Sequence, residues 1–236
     1  MDVRPASGRV AAIIPAAGEG RRMGGGVPKQ FLQIGGREVL ARTLAVFEAC
    51  EAIDDVWVVV AAEQCVWCQT TIVERYGLQK VRGVVAGGTT RQESVWHGLQ
   101  QMTDAVGLVV IHDGVRPLVT ELLVQQTLDY ASRYGAAIAA VPLKDTLKRV
   151  SAAGTVEATV PREHLWRVQT PQAFQHALLR RAFQHAWQQE LQATDEAGLI
   201  EALGHKVQVV PGYEHNVKIT TPDDLVFCEL FLRERA

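Results

Sequence analysis

Three groups of residues in this chain have the types and spacing to act together on phosphate. Ala16-Ala17-Gly18-Glu19-Gly20 leaves the main chain almost bare, so a ligand can approach its N–H groups closely. Arg21, Arg22 and Lys29 follow on the same stretch, separated by Gly24-Gly25-Gly26. Backbone donors beside cations suit a polyphosphate. Further along, Gly87-Gly88-Thr89-Thr90-Arg91 leads towards Ser94, and His112-Asp113-Gly114-Val115-Arg116-Pro117 sets a carboxylate near a guanidinium. Two familiar phosphate loops are excluded. The dinucleotide fingerprint would need glycine where Met23 stands, and the P-loop would need Ser or Thr where Gln30 stands. The plainer readings are a glycine-rich surface turn with solvated arginines, and an aspartate that caps a helix or closes a turn.

Strands and helices must alternate to bring these groups to one edge. Val10 to Ile14 is the short, β-branched run of a buried parallel strand, ended by Pro15, which has no N–H to donate. Helical spacing predicts a helix over Glu38 to Ala49, another from Cys65 to Tyr76, one through Gln92 to Val95, one from Thr120 to Tyr134 and one from His176 to Gln189. Apolar runs predict strands at Val56–Ala61, Val81–Val85, Leu108–Ile111, Ala136–Pro142, Val207–Val210 and Val217–Ile219. Thr194 is a plausible N-cap with Asp195 and Glu196 favouring the helix dipole, and Thr221-Pro222 opens the last helix.

This succession predicts an α/β fold: one Rossmann-like domain, with a mainly parallel twisted sheet and helices on both faces. Ligands then bind at the carboxyl ends of the strands, where each polar loop falls. One region breaks the rhythm. Lys144 to Val150, a Ser151–Gly154 turn and Thr155 to Val168 read as two extended segments too polar for the core. They read as a β-arm, about residues 144–168, protruding from a core of 10–143 and 169–236 to reach another subunit.

Composition sets outer limits. The chain has 236 residues, 47% hydrophobic and 21% charged, as in an ordinary globular protein of one domain. A net charge of -2 leaves no electrostatic footprint for nucleic acid or an anionic membrane. No apolar run is long enough to span a bilayer, and Val10 to Ala17 is too brief for a signal peptide, so the expected location is cytoplasmic. Cys65-Val66-Trp67-Cys68 has the spacing of a redox pair or half a zinc site, but no second ligand pair exists. Two partly buried thiols at a helix start are the plainer expectation, with no bound metal.

The Gly18-Glu19-Gly20-Arg21-Arg22-Met23 run and the Pro28-Lys29 pair resemble the signature of nucleoside-triphosphate transferases that activate sugars and sugar alcohols. Gly87-Gly88, Arg91, Ser94-Val95 and His112-Asp113 with Arg116-Pro117 narrow the resemblance to cytidylyltransferases of 2-C-methyl-D-erythritol 4-phosphate. Asp145-Thr146, Lys148-Arg149, Pro161-Arg162, Leu165-Trp166 and Gln169-Thr170-Pro171-Gln172 are similar too. One departure is Gly114-Val115, where that family usually has two alanines.

The resemblance implies transfer of CMP from CTP to the polyol phosphate, releasing pyrophosphate, in isoprenoid precursor synthesis. It implies a homodimer with shared active sites, catalytic charges on Arg22, Lys29, Arg162 and Lys218, and nucleotide contacts from Ala16, Ala17, Gly18, Gly20, Gly88, Thr89 and Ser94. Asp113, Arg116, Thr146, Arg162, Thr170, Thr194 and Lys218 would meet the alcohol substrate. Arg91 would join them or pin its loop. Mg²⁺ would bridge phosphate oxygens with few protein ligands, Asp113 being the one nominated. A ribitol 5-phosphate cytidylyltransferase and a non-catalytic nucleotide-binding module remain the alternatives.

Overall fold

The computed structural model describes residues 8–18 and 26–234. In chain order the elements are β1 (Arg9–Pro15), β2 (Gln33–Ile34), β3 (Arg37–Glu38), α1 (Val39–Ala49), β4 (Asp55–Val60), α2 (Cys65–Cys68), β5 (Val81–Ala86), α3 (Arg91–Leu99) and β6 (Val106–Ile111). There follow α4 (Glu121–Tyr134), β7 (Ala136–Pro142), β8 (Leu147–Val150), β9 (Val156–Val160), β10 (Trp166–Gln175), α5 (His176–Gln188), α6 (Glu196–Ala202), β11 (Gln208–Pro211) and α7 (Pro222–Arg233).

Seven strands form one sheet in the order β11-β7-β10-β6-β1-β4-β5. All neighbours run parallel except β10, which lies antiparallel between β7 and β6. Alternating side chains supply two cores, as a pleated strand dictates. Ala12, Ile14, Val58, Val60, Leu108 and Val110 face α1 and α4 through Leu44, Phe47, Leu123 and Leu128. Ala11, Ile13, Val59, Val109 and Ile111 face α3, α5 and α6 through Val95, Leu99, Phe183 and Leu199. A third cluster joins Ile34, Val39, Val115, Leu118, Ile219 and Cys228. It seats α7 and the Lys218 segment against the loop that follows β6.

Several local expectations change. The extended segment read over Thr155 to Val168 is two strands. β9 folds back on β8 through a turn whose Gly154 has φ +80°, a left-handed conformation that glycine adopts without strain. Trp166 to Val168 instead belong to β10 and pair with Pro142 to Ala140 of the central sheet. Residues 217–219 form no strand; they are irregular, held by the Ile219 N–H donating to Val115 O at 2.9 Å. The helix expected from Cys65 to Tyr76 is α2 followed by a π-helical stretch, Gln69–Glu74. The N-cap of α6 is Asp195, not Thr194: its carboxylate accepts from the Gly198 N–H at 3.1 Å, since Thr194 lies one residue too early. Thr221 caps α7 as read, with Pro222 at the first position.

Candidate active site

Two neighbouring cavities lie at the carboxyl edge of the parallel strands. The first is walled by Ala16, Ala17 and Gly18 after β1, Lys29, and the Gly88–Arg91 loop with Ser94. The Ala16 N–H donates to Val59 O at 2.7 Å, which carries the sheet one residue past Pro15. Bareness here is steric necessity: a Cβ on Gly87 would come within 2.7 Å of the Ala17 Cβ. Gly114, the departure from the family pattern, packs where a Cβ would meet Ala16 and Leu40 at 3.0 Å.

The second loop is held by its own side chains. The Thr90 hydroxyl accepts from the Glu93 N–H, and the Glu93 carboxylate accepts from the Thr90 N–H at 3.2 Å, forming a capping box on α3, and also from the Thr89 N–H at 2.7 Å. The Gly88 N–H donates to Ser94 Oγ at 3.1 Å. Lys29 sits in a 3₁₀ turn, Lys29–Phe31, and its ammonium donates to Ile219 O at 2.9 Å. Gly20 and Arg22, expected with these groups, lie outside the described residues.

The second cavity is walled by Arg116, Gln169, Thr170, Gln172, Thr194 and Asp195. Arg91, Asp113 and Lys218 line both cavities. Asp113 is 5% exposed. Its Oδ2 takes Arg116 Nε at 3.2 Å and Lys218 Nζ at 3.1 Å, and its Oδ1 lies 3.5 Å from Arg91 Nε. Burial alone would raise this carboxyl, but Lys218, Arg91 and Arg116 together hold it far below the ordinary carboxylate range. Burial pulls the Arg116 guanidinium down and Asp113 opposes it, so the pair is ionised. Arg116 also donates to Asn216 O at 2.8 Å.

Beneath this cluster His112 is fully buried and holds its loop to β10. Arg116 O can only accept, so it fixes the proton on His112 Nε2, 3.2 Å away. Nδ1 then accepts from the Thr170 hydroxyl at 3.0 Å, whose oxygen in turn accepts from the Asp113 N–H at 3.1 Å. Burial holds the His112 imidazole down to about 4, neutral at pH 7. The Thr170–Pro171 peptide is cis and lies at the irregularity in β10.

A second carboxylate backs the cluster. Glu196, 1% exposed, accepts from Arg91 Nη1 with both oxygens, at 2.7 and 2.8 Å. Burial pushes the Glu196 carboxyl up and Arg91 opposes that; the two short bonds are those of an ionised pair. Despite its own burial, Arg91 is held above its ordinary value by Glu196 and Asp113.

In the sequence Glu196 and Asp195 read as helix-dipole acids, and nothing local gives His112 a role of its own. Only burial separates such a carboxylate from a solvated one. Thr146 and Arg162 are not brought to either cavity of their own chain. Both are exposed near or on the β8–β9 arm, where Arg162 donates to Lys144 O. Asp113 does not fit the metal-ligand role nominated for it, because both its oxygens already face cations. Among the described residues no cluster of three or more His, Cys, Asp or Glu side chains could hold a metal ion. Cys65 and Cys68 are thiols, not thiolates, at neutral pH; burial pushes Cys68 up to about 12.

Comparison with known proteins assigns the arrangement to a family. The sequence model of IspD, 2-C-methyl-D-erythritol 4-phosphate cytidylyltransferase, matches residues 10–234. The chain belongs to this family. Among relatives, the 2-C-methyl-D-erythritol 4-phosphate cytidylyltransferase of Geobacter metallireducens is 46% identical over 96% of this chain and 98% of its own. That of Halalkalibacterium halodurans is 48% identical over 95% and 97%. The crystal structure of 4-diphosphocytidyl-2C-methyl-D-erythritol synthase from Anaerococcus prevotii superposes with a TM-score of 0.84 at 33% identity, covering 96% of each chain. The Thermus thermophilus cytidylyltransferase structure gives 0.78 at 37% identity over 95% of this chain and 99% of that one. Within such a cytidylyltransferase scaffold, no helix of the described residues is long and apolar enough to cross a membrane.

Proposed function

We propose that the protein transfers the cytidylyl group of CTP to 2-C-methyl-D-erythritol 4-phosphate, releasing pyrophosphate. The observation that carries this is the meeting of two cavities at Arg91, Asp113 and Lys218. Two anionic substrates can lie on either side of one charge cluster, their reacting groups adjacent.

In this reading the nucleotide enters the first cavity, its base between the Ala16–Gly18 and Gly88–Ser94 loops and its triphosphate beside Lys29. The polyol phosphate enters the second, with its phosphate on Lys218 and its hydroxyls towards Asp113, Arg116, Thr170 and Thr194. An oxygen of that phosphate attacks the α-phosphorus in line. The new P–O bond forms as the bond to the β-phosphate breaks, and the electron pair leaves with pyrophosphate. A phosphate monoester with a second pKa near ~6 is already largely a dianion at pH 7, so no side chain has to remove a proton. What the protein supplies is alignment and positive charge on the leaving side. Mg²⁺, with no carboxylate free for it at Asp113, would travel on the triphosphate's own oxygens.

The exposed arm completes the site from a second subunit in this reading. Leu147, Val150, Val156 and Leu165 present large apolar side chains that a partner would cover, and Thr146 and Arg162 travel with them. The enzyme would work in the cytosol as a homodimer.

The test is pyrophosphate release from CTP with either methylerythritol 4-phosphate or ribitol 5-phosphate. Turnover with the first is expected; turnover with ribitol 5-phosphate alone reassigns the substrate, and CTP binding without turnover on either removes the enzymatic reading. Lys29→Ala should lower kcat by roughly 10²–10³ while moving the KM for CTP far less, because its charge matters most as the leaving group gathers charge.

A further inference from the structure

Arg91 stands between the cavities beside two carboxylates, Asp113 and Glu196, and Glu196 is the one that no substrate explains. Glu196 grips Nη1, whereas Asp113 lies 3.5 Å from Nε, too loose for a strong bond. The pair is not needed to dock the α6 segment on α3. Gln92 does that with both ends of its amide, donating to Leu191 O at 3.2 Å and accepting from the Ala193 N–H at 3.1 Å. Nor is a helix dipole a sufficient account, since α6 has 7 residues and the side chain turns to a partner 105 positions away in the chain. A buried ion pair is a weak source of stability compared with apolar packing.

We infer that Glu196 is a positioning residue: by holding Arg91 it keeps the guanidinium from closing on Asp113, and so leaves Asp113 to anchor Lys218 for the incoming phosphate. A guanidinium released from Glu196 would take Asp113 as a two-pronged partner, the geometry arginine and carboxylate favour. Oδ2 would then be contested. Arg116 keeps a second hold on Asn216 O, so Lys218, at 3.1 Å from the same oxygen, is the cation that yields. Arg91 thus acts through Asp113 and Lys218, not as a phosphate ligand. This rests on the reading that Lys218 meets the polyol phosphate.

Glu196→Gln keeps the shape and one acceptor but removes the charge. The KM for the polyol phosphate should rise about fivefold or more, with the KM for CTP moving less than about twofold. In Arg91→Gln/Glu196→Gln no guanidinium is left to capture Asp113, so the polyol phosphate KM should fall at least about twofold below that of Glu196→Gln, to that of Arg91→Gln. A merely structural Glu196 would leave the double variant at least as impaired as the single one. An unchanged KM in Glu196→Gln, or a double variant no better than it, overturns the proposal. If Glu196→Gln does not fold, the double variant, which leaves neither buried charge unpaired, is compared with Arg91→Gln: a polyol phosphate KM within about twofold of it supports the proposal, and a higher one overturns it. If the wild type turns over neither alcohol, the substrate reading fails by itself. Acylation of Lys218 by an amine reagent, read by mass spectrometry, then decides the inference: faster in Glu196→Gln and wild-type in the double variant, or else wrong.

Discussion

Asp113 and Arg162 are expected to meet the same substrate, yet the protein holds them in opposite ways. Asp113 is buried, its two oxygens shared among Arg116, Lys218 and Arg91, with the peptide beneath it tied through Thr170 to a neutral His112. Arg162 is exposed, and among the described residues its guanidinium reaches a backbone carbonyl within its own arm. A charge so enclosed is preorganised before any ligand arrives. A charge on an exposed arm does no work in the isolated chain. The difference teaches that the Asp113 half of the proposed site is finished by folding, whereas the arm's half would be finished only by the proposed association.

If that division is right, the sharpest contrast is in stability. Asp113→Ala leaves Arg116 buried beside Lys218 without their carboxylate and should cost about 3–5 kcal/mol, measured by urea unfolding. A cost below about 1 kcal/mol would mean the cluster is solvated and not prebuilt.

The next effect is set by pH. The unfolded chain protonates His112 near its ordinary value of about 6.5, whereas the folded one resists to about 4. The associated stability is fully present above pH ~6.5 and is lost as the pH falls towards 4, by about 3 kcal/mol. Asp113, held low, acts in the same direction but only further down: its stability is present above the unfolded value of about 3.9 and is lost as the pH falls below it. Between pH 4 and 6.5 the slope comes from buried histidines, His112 and His176, whose burial holds it low as well, so His112's share is read by difference. His112→Asn should flatten the dependence there relative to wild type; equal slopes would show that His112 is not buried as a neutral strut.

The contrast also explains what could be read from the sequence. Strands such as Val10 to Ile14 and Leu108 to Ile111 were legible because burial on both faces leaves one composition, and the glycine loops because bare backbone has few other uses. β10 was hidden. Gln169-Thr170-Pro171-Gln172 looks like a solvated loop, but it is buried because each polar side chain finds a partner: Gln169 with Tyr213 O, Thr170 with His112, Gln172 with Asp195. Partners so remote in the chain leave no local pattern. Glu196 was hidden for the same reason, and Thr194 was chosen as the cap because either of two adjacent residues could have served.

On the arm the expected stability effect is the smallest. Arg162→Ala should change unfolding stability by less than about 0.5 kcal/mol, because an exposed side chain away from the core carries little. A loss of several kcal/mol would place Arg162 within the packed structure of its own chain and dissolve the contrast.

Subunit mixing asks directly whether the arm serves a partner. Arg162→Ala and Lys29→Ala proteins should each be nearly inactive by pyrophosphate release. In a mixed dimer one site collects both lesions, and the other keeps an intact Lys29 and an intact arm. With random exchange half the dimers are mixed and half their sites are whole, so roughly a quarter of wild-type activity should return. Exchange demonstrated by mass spectrometry with no recovery of activity would show that Arg162 works within its own chain, against the shared site proposed here.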